Sequence, residues 1–269
     1  LDGNVTIQLG NTLFKLHRSR LVMNSAWFAS YFEDENTKQR QIHCIKMKGA
    51  RAKDFEVLLD MMDDAIDYIY EPPPFSIVAA VLRAASTLSF DKYAAFAEKA
   101  TTRMWPAALE ELTPERIPHA AETVFLLRAH PITDCHAVLK RALYELVRAP
   151  NFGQGIDGLS IGMHDFMRIV MAHGQLSQLW RENAVAASNM FVCPQAAGDE
   201  GGGTEAAVSC VTRDPAKYAE VHTRLVHQSG VYEEYNSDVL CGLQALVDAS
   251  WKAEGFCDAC VDLRRRAWS

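Results

Sequence analysis

The sequence predicts an α+β fold: a small N-terminal domain of short strands plus helices, followed by a mainly α-helical extension. Three observations carry this. Apolar residues alternate at Val5, Ile7 and Leu9, the pattern of a strand with one buried face. After Lys53 they recur instead at three- and four-residue steps, as an amphipathic helix requires. Beyond the first hundred residues the helical period persists, without the alternating strands of a parallel sheet.

In the first strand Asn4, Thr6 and Gln8 take the polar face, and Gly10-Asn11 supplies a two-residue hairpin turn because glycine accepts positive φ. The returning strand carries Phe14 and Leu16, and a third short strand covers Ile42 to Met47. A helix with Phe55, Leu58, Leu59, Met62, Ile66 and Ile69 on one face follows. Pro72, Pro73 and Pro74 interrupt it, since proline lacks the amide donor and restricts the residue before it. Another helix begins near Phe75 with the stripe Val78, Val81, Leu82, Ala85 and Leu88. The next carries Tyr93, Phe96, Ala97, Ala100 and Met104 and ends at Pro106.

Thr113-Pro114-Glu115 combines an N-cap threonine, a proline in the first helical position and an early acidic residue, which predicts a helix from there to about His130. Asp134 to Arg148 reads as its antiparallel partner, with Val138, Leu139, Ala142 and Leu146 facing inward. Gln195 to Thr204 is glycine-rich and reads as a loop. The expected division is 1–106, 107–192 for the helical extension, and 193–269 for a C-terminal helical region.

With 269 residues, 49% of them apolar, the chain can bury one large core or two modest ones. Its 27 basic and 34 acidic residues leave a net charge of −7, which argues against nucleic acid as a partner. Arg264, Arg265 and Arg266 form the compact basic run and read as a solvated helix face. No stretch reaches the roughly 18 apolar residues of a membrane span, and no signal core opens the chain. Seven scattered cysteines suit reduced thiols better than a disulfide framework, so the expected location is intracellular, in cytoplasm or nucleus. The start at Leu1 rather than Met reads as processed or truncated.

The residues Phe14 to Phe28 spell F-x-L-H-R-x-x-L-x-x-x-S-x-x-F directly after the hairpin, and YIYEPPP and RAASTLSF follow further on. This order resembles a BTB/POZ domain, and the likeness runs to about Pro106. It departs from the family in the DMMDDAID segment before Tyr68 and in having no helix ahead of the first strand, which puts the family's swapped homodimer in doubt. The resemblance implies a charged pocket at Asp2 and Arg18, which is either a matched buried pair or two exposed groups. His17 reads as a hydrogen-bonded residue at a strand end, and Trp27, Phe28 and Phe32 as core or partner-groove aromatics.

Farther along, Leu159 to Trp180 and the ending FCDACVDLRRRAW resemble the BTB proteins of mushroom-forming (basidiomycete) fungi. The family role is to bind other proteins, so the expectation is a non-enzymatic interaction scaffold or adaptor, with a homodimer and a cullin among the partners the family admits. The alternatives are a substrate adaptor of a cullin-type ubiquitin ligase and a transcription-regulatory module with a structural zinc. Lys48 to Lys53, KGARAK, lacks the hydrophobic-x-Glu signature of cullin binding.

Two further motifs bear on chemistry. Cys257-x-x-Cys260 has the local spacing of two zinc ligands, and Cys193 with Cys210 could complete a set of four. His222, His227 and Cys241 compete for those places, and free thiols packed as small apolar groups are the simpler alternative. Gly158-Leu159-Ser160-Ile161-Gly162 fits the letters of a hydrolase nucleophile elbow. That mechanism needs a strand before the serine, and NFGQGID at 151–157 is a polar, glycine-containing loop, so no catalytic residue is assigned.

Overall fold

The computed structural model describes residues 4–34, 41–63, 68, 71–150, 161–185, 193 and 210–268. The chain divides into two compact units: residues 1–111 with 117–142, and residues 112–116 with 143–269.

The first unit opens with β1 (Asn4–Leu9) and β2 (Thr12–His17), paired antiparallel from Asn4 opposite His17 to Leu9 opposite Thr12. Gly10 and Asn11 close the hairpin, and Gly10 takes φ 57°, the left-handed conformation a tight two-residue turn demands. The chain then runs through α1 (Arg18–Asn24) and α2 (Ala26–Glu33) and returns as β3 (Ile42–Ile45). β3 lies parallel to β1 and gives the sheet order β2-β1-β3. It ends at Ile45, two residues before the expected Met47. Ile7, Leu9 and Ile45 point into the core.

Helices α3 (Ala52–Asp63), α4 (Phe75–Thr87) and α5 (Asp91–Met104) follow the predicted stripes. Phe55, Leu58 and Leu59 of α3 are buried, though Met61 rather than Met62 takes the last inward place, and Ile66 and Ile69 lie outside the described residues. Aromatic rings fill the space between these elements. Phe28 packs on Phe32, Phe55 and Phe90 at centroid separations of 5.8, 6.2 and 6.0 Å, and Phe14 meets Phe55 edge-on at 5.2 Å. Ser25 ties α2 to the end of α4: its hydroxyl accepts from the Phe28 amide at 3.0 Å as an N-cap and donates to the Leu88 carbonyl at 2.6 Å. Buried Asp54 takes a two-pronged bond from Arg83, at 2.7 and 2.8 Å.

The helix predicted from Thr113 starts seven residues late, as α6 (Ala120–Ala129). Pro118 cannot donate within a helix begun at Thr113. The carbonyls of Thr113 and Glu115 are instead taken by the guanidinium of Arg148, at 2.7 and 2.8 Å. α6 stops before Pro131, as expected, and α7 (Cys135–Val147) matches its predicted span. The division between the units falls within α7, at Ala142 and Leu143.

The described part of the second unit is helical. It comprises α8 (Met163–Trp180) continuing into a π turn at Arg181–Val185, α9 (Pro215–His222) continuing into a π turn at Thr223–Gln228, α10 (Val231–Glu234), α11 (Val239–Asp248) and α12 (Asp258–Trp268). Its core gathers Trp180, Val226, Val239, Leu246, Trp251, Phe256, Val261 and Trp268 with three cysteines. Trp180 stacks on Tyr232 and donates its indole N–H to the Tyr232 carbonyl at 3.2 Å. Gly242 of α11 sits against that indole: a Cβ there would meet Trp180 ring carbons and the Tyr235 Cβ at 2.7–2.8 Å. Only glycine lets α11 approach so closely.

At the head of this unit Arg148 is fully buried with all five N–H groups spent. Nε and Nη2 bond the two oxygens of buried Glu145 at 2.9 and 2.7 Å, and Nη1 bonds Asp238 at 2.7 Å. The remaining two go to the Thr113 and Glu115 carbonyls. Tyr144 donates to the other Asp238 oxygen at 2.8 Å and accepts from the Leu240 amide. Burial and the adjacent Asp238 charge push the Tyr144 phenol far above its ordinary range. Among the described residues, no helix is long and apolar enough to cross a membrane.

Candidate functional site

Of the residues singled out near the hairpin, Arg18, Phe32, Phe28 and Trp27 touch in succession. His17 ends β2, is exposed, and makes no side-chain cap on α1. Arg18 donates to the Phe32 carbonyl at 2.8 Å and lies 5.0 Å from the Phe32 ring centroid, so its charge faces the carbonyl end of α2. Asp2, its expected partner, lies outside the described residues. Phe28 and Phe32 are buried in the aromatic core, which favours the core alternative of their reading over the groove one. Trp27 is half-buried, stacked on Tyr31 at 5.0 Å with the planes 17° apart.

The second unit brings four thiols together. The Sγ atoms of Cys193, Cys210, Cys257 and Cys260 all lie within 4.8 Å of one another. Cys193 and Cys257 stand 3.7 Å apart, and so do Cys210 and Cys260. Cys257 immediately precedes α12 and its carbonyl accepts from the Val261 amide, so it occupies the N-cap place and Cys260 sits in the first turn. Gly255, at φ 90°, makes the turn that brings Cys257 round, and its carbonyl accepts from the Val211 amide at 3.1 Å, which holds the Cys210 segment alongside.

Polar hydrogens converge on these sulfurs. The Thr212 hydroxyl lies 3.0 Å from Cys210 and 3.5 Å from Cys260, and the Cys257 amide donates to Cys210 at 3.5 Å. Burial works to raise the Cys210 thiol, but the bonds from Thr212 and Cys257 outweigh it and bring the group down to about 6. Burial pushes Cys257 and Cys260 up.

The competing ligands are engaged elsewhere. His222 lies with Nε2 2.7 Å from the Ala184 carbonyl, Cys241 lies 3.8 Å from Arg148 Nη1, and the His227 ring packs on Tyr232.

The arginine run beside this site is not the solvated face it resembled in sequence. Arg265 and Arg266 are exposed, but Arg264 is buried. Its guanidinium lies 4.3 Å from the Phe256 ring, 5.4 Å from Tyr218 and 5.5 Å from Trp251, and donates to the Cys260 carbonyl at 3.2 Å. The signal was present in the spacing: Cys257, Cys260, Val261, Arg264 and Trp268 mark one face of a helix, and Arg264 falls in the middle of it. Thr212 carried no comparable signal.

Ser160, with Gly158 and Leu159, lies outside the described residues. Gly162 is the N-cap of α8, and among the described residues no strand follows β3. The glycine-rich stretch at 195–204 is likewise outside the described residues.

Residues 3–103 match the family model of the BTB/POZ domain, so the sheet and first five helices form a BTB/POZ domain with a mainly helical region after it. No curated protein matches the chain.

Proposed function

We propose, from the BTB/POZ domain at residues 3–103, that this chain is a non-enzymatic scaffold or adaptor that acts by binding other proteins. The BTB/POZ domain is a protein–protein interaction module, and that match is the observation carrying the proposal. The surface supports it. α8 exposes Met163, Phe166, Met167, Val170 and Met171 at helical spacing, a continuous apolar stripe of the kind that buries against a partner. The likeness of the C-terminal half to fungal BTB proteins belongs to the same proposal, as does residence in cytoplasm or nucleus.

Within this reading a general interaction scaffold is favoured over a cullin adaptor, because Lys48 to Lys53 is a basic turn leading into α3 rather than a hydrophobic-x-Glu segment. Size-exclusion chromatography with light scattering, on the chain alone and mixed with a cullin N-terminal domain, tests the choice. The expected result is no shift with the cullin domain, and recovery of a different protein in pull-downs from the source cell, lost when Met167 and Met171 are both changed to Glu. A stable cullin complex would replace the scaffold reading with the ligase-adaptor one. Ester turnover that disappears in Ser160→Ala, with no partner recovered, would overturn both.

A further inference from the structure

We infer that Cys193, Cys210, Cys257 and Cys260 hold one zinc ion as four thiolates. Four observations lead there. The first is distance: a zinc ion with sulfurs at about 2.3 Å in a tetrahedron sets them about 3.8 Å apart. The two measured pairs stand at 3.7 Å, and the remaining separations stay within 4.8 Å, so a small contraction closes the tetrahedron around one ion. Two disulfides would instead require each pair to close to about 2 Å, leaving the cross-pair sulfurs with no reason to converge.

The second is selection. Cys193 and Cys210 approach the C-x-x-C pair from two other places in the chain, while Cys241, buried in the same unit, stays out of the group. Thiols packed merely as small apolar groups have no cause to assemble four at a point.

The third is hydrogen bonding. A thiol sulfur is a weak acceptor, yet the Cys257 amide points at the Cys210 sulfur and the Thr212 hydroxyl lies within reach of two sulfurs. Donors of this kind are the outer partners that metal-bound thiolates require.

The fourth is charge. Four thiolates and one zinc ion leave two negative charges in a protein core, which must be offset. The N-terminal end of α12 carries Cys257 and Cys260, and buried Arg264 sits one turn along the same helix, bonded to the Cys260 carbonyl. Its guanidinium, ringed by Phe256, Tyr218 and Trp251, puts a positive charge on the helix that carries two of the four thiolates.

The ion would join three stretches of chain that are far apart in sequence, so its role is to hold the second unit's fold. No ligand position is left open for chemistry. This inference stands independently of the protein-binding proposal.

Metal analysis of the full chain purified under reducing conditions is the test, with cobalt(II) as a spectroscopic substitute. The expected result is one zinc per chain, cobalt uptake with the intense visible bands of a tetrahedral thiolate site, and loss of secondary structure when a strong chelator removes the metal. Cys260→Ser and Cys193→Ser should each weaken zinc binding by more than about tenfold, since removing even a supporting partner of a ligand costs that much, while Cys241→Ser keeps full occupancy. The wild-type measurements stand even where a variant fails to fold. Metal-free protein that takes up neither ion, iron in place of zinc, or a mass showing Cys193–Cys257 and Cys210–Cys260 disulfides would each overturn the assignment.

Discussion

Replacing Arg148 with Met tests the reasoning about the second unit most directly. The guanidinium lies at 0% exposure, and so does the Glu145 carboxylate it bonds in fork geometry. Methionine fills much of the same volume but removes five donors at once. Glu145 then loses both bonds of the fork and is left to longer contacts such as the Arg116 ion pair at 3.7 Å, and breaking a buried pair from one side costs about 3–5 kcal/mol. The carbonyls of Thr113 and Glu115 lose their donor as well, at about 1–3 kcal/mol for each that water cannot reach. Relaxation of the Thr113 segment recovers part of that, so the expected loss is at least about 3 kcal/mol. Arg148→Lys keeps a charge but not the planar fork, and should fall between Met and wild type. Because the chain has two units, a single unfolding midpoint is unsafe. Hydrogen exchange read by mass spectrometry on α11 peptides isolates the relevant unit. The double variant Arg148→Met with Glu145→Met carries the sharper test: with the under-compensated carboxylate gone, it should be more stable than Arg148→Met alone. A loss under about 1 kcal/mol for the single variant, or no recovery in the double, would refute the claim that a buried ion network organises this region.

Three other outcomes follow from the same geometry. Ser25→Ala removes the α2 cap and the bond to the Leu88 carbonyl together, for an expected loss of about 1–2 kcal/mol in the BTB/POZ domain by hydrogen exchange on α2 and α4 peptides; unchanged protection there would show the contact to be incidental. Gly242→Ala drives a methyl into the Trp180 ring and should cost about 1–3 kcal/mol with a changed tryptophan emission, whereas a neutral result would mean α11 can shift away. His222 is held below the ordinary histidine range by burial, with His227 and Arg264 adding to the effect and its bond to the Ala184 carbonyl opposing it. The folded state therefore binds its proton less readily than the unfolded state, and stability falls as pH drops below about 6.5, by at most about 1.4 kcal/mol per pH unit. His222→Gln should flatten that slope without abolishing it, because burial also lowers His130, with Arg83 adding to the effect. An acid slope equal to wild type in the variant would remove His222 as its cause.

Much of the first unit was legible because its signals are local. Alternation at Val5, Ile7 and Leu9 fixes which face of β1 is buried, Gly10-Asn11 admits few turns, and the stripes of α4 and α5 repeat over three turns or more. The helix expected from Thr113 failed for a nonlocal reason. Its N-cap grammar was sound, but Pro118 interrupts it and the carbonyls nearby serve an arginine more than thirty residues away in sequence. Arg264 was misread because three consecutive arginines suggest solvent, when the period of α12 places only the first of them inward. The cysteines were countable, but the choice between Cys241 and Cys193 depends on how the helices pack. No spacing rule covers sulfurs separated by 17 and 47 positions along the chain.

The burial pattern also decides which substitutions can report on partner binding. Phe28 and Phe32 carry the family-like motif, yet both are sealed against Phe55 and Phe90 or against Arg18, so changing them opens a cavity in the core. Any loss of binding in such variants would report unfolding. The exposed apolar side chains that could meet another protein include Leu13 on β2, Met23 on α1 and Ile42 on β3 in the first unit, and the α8 stripe in the second. None of these contributes to a buried core, and a charge at Met23 or Met167 should leave stability within about 0.5 kcal/mol of wild type. Binding lost at such a position with the fold intact locates an interface, and the two sets, one in each unit, separate a partner of the BTB/POZ domain from a partner of the helical region.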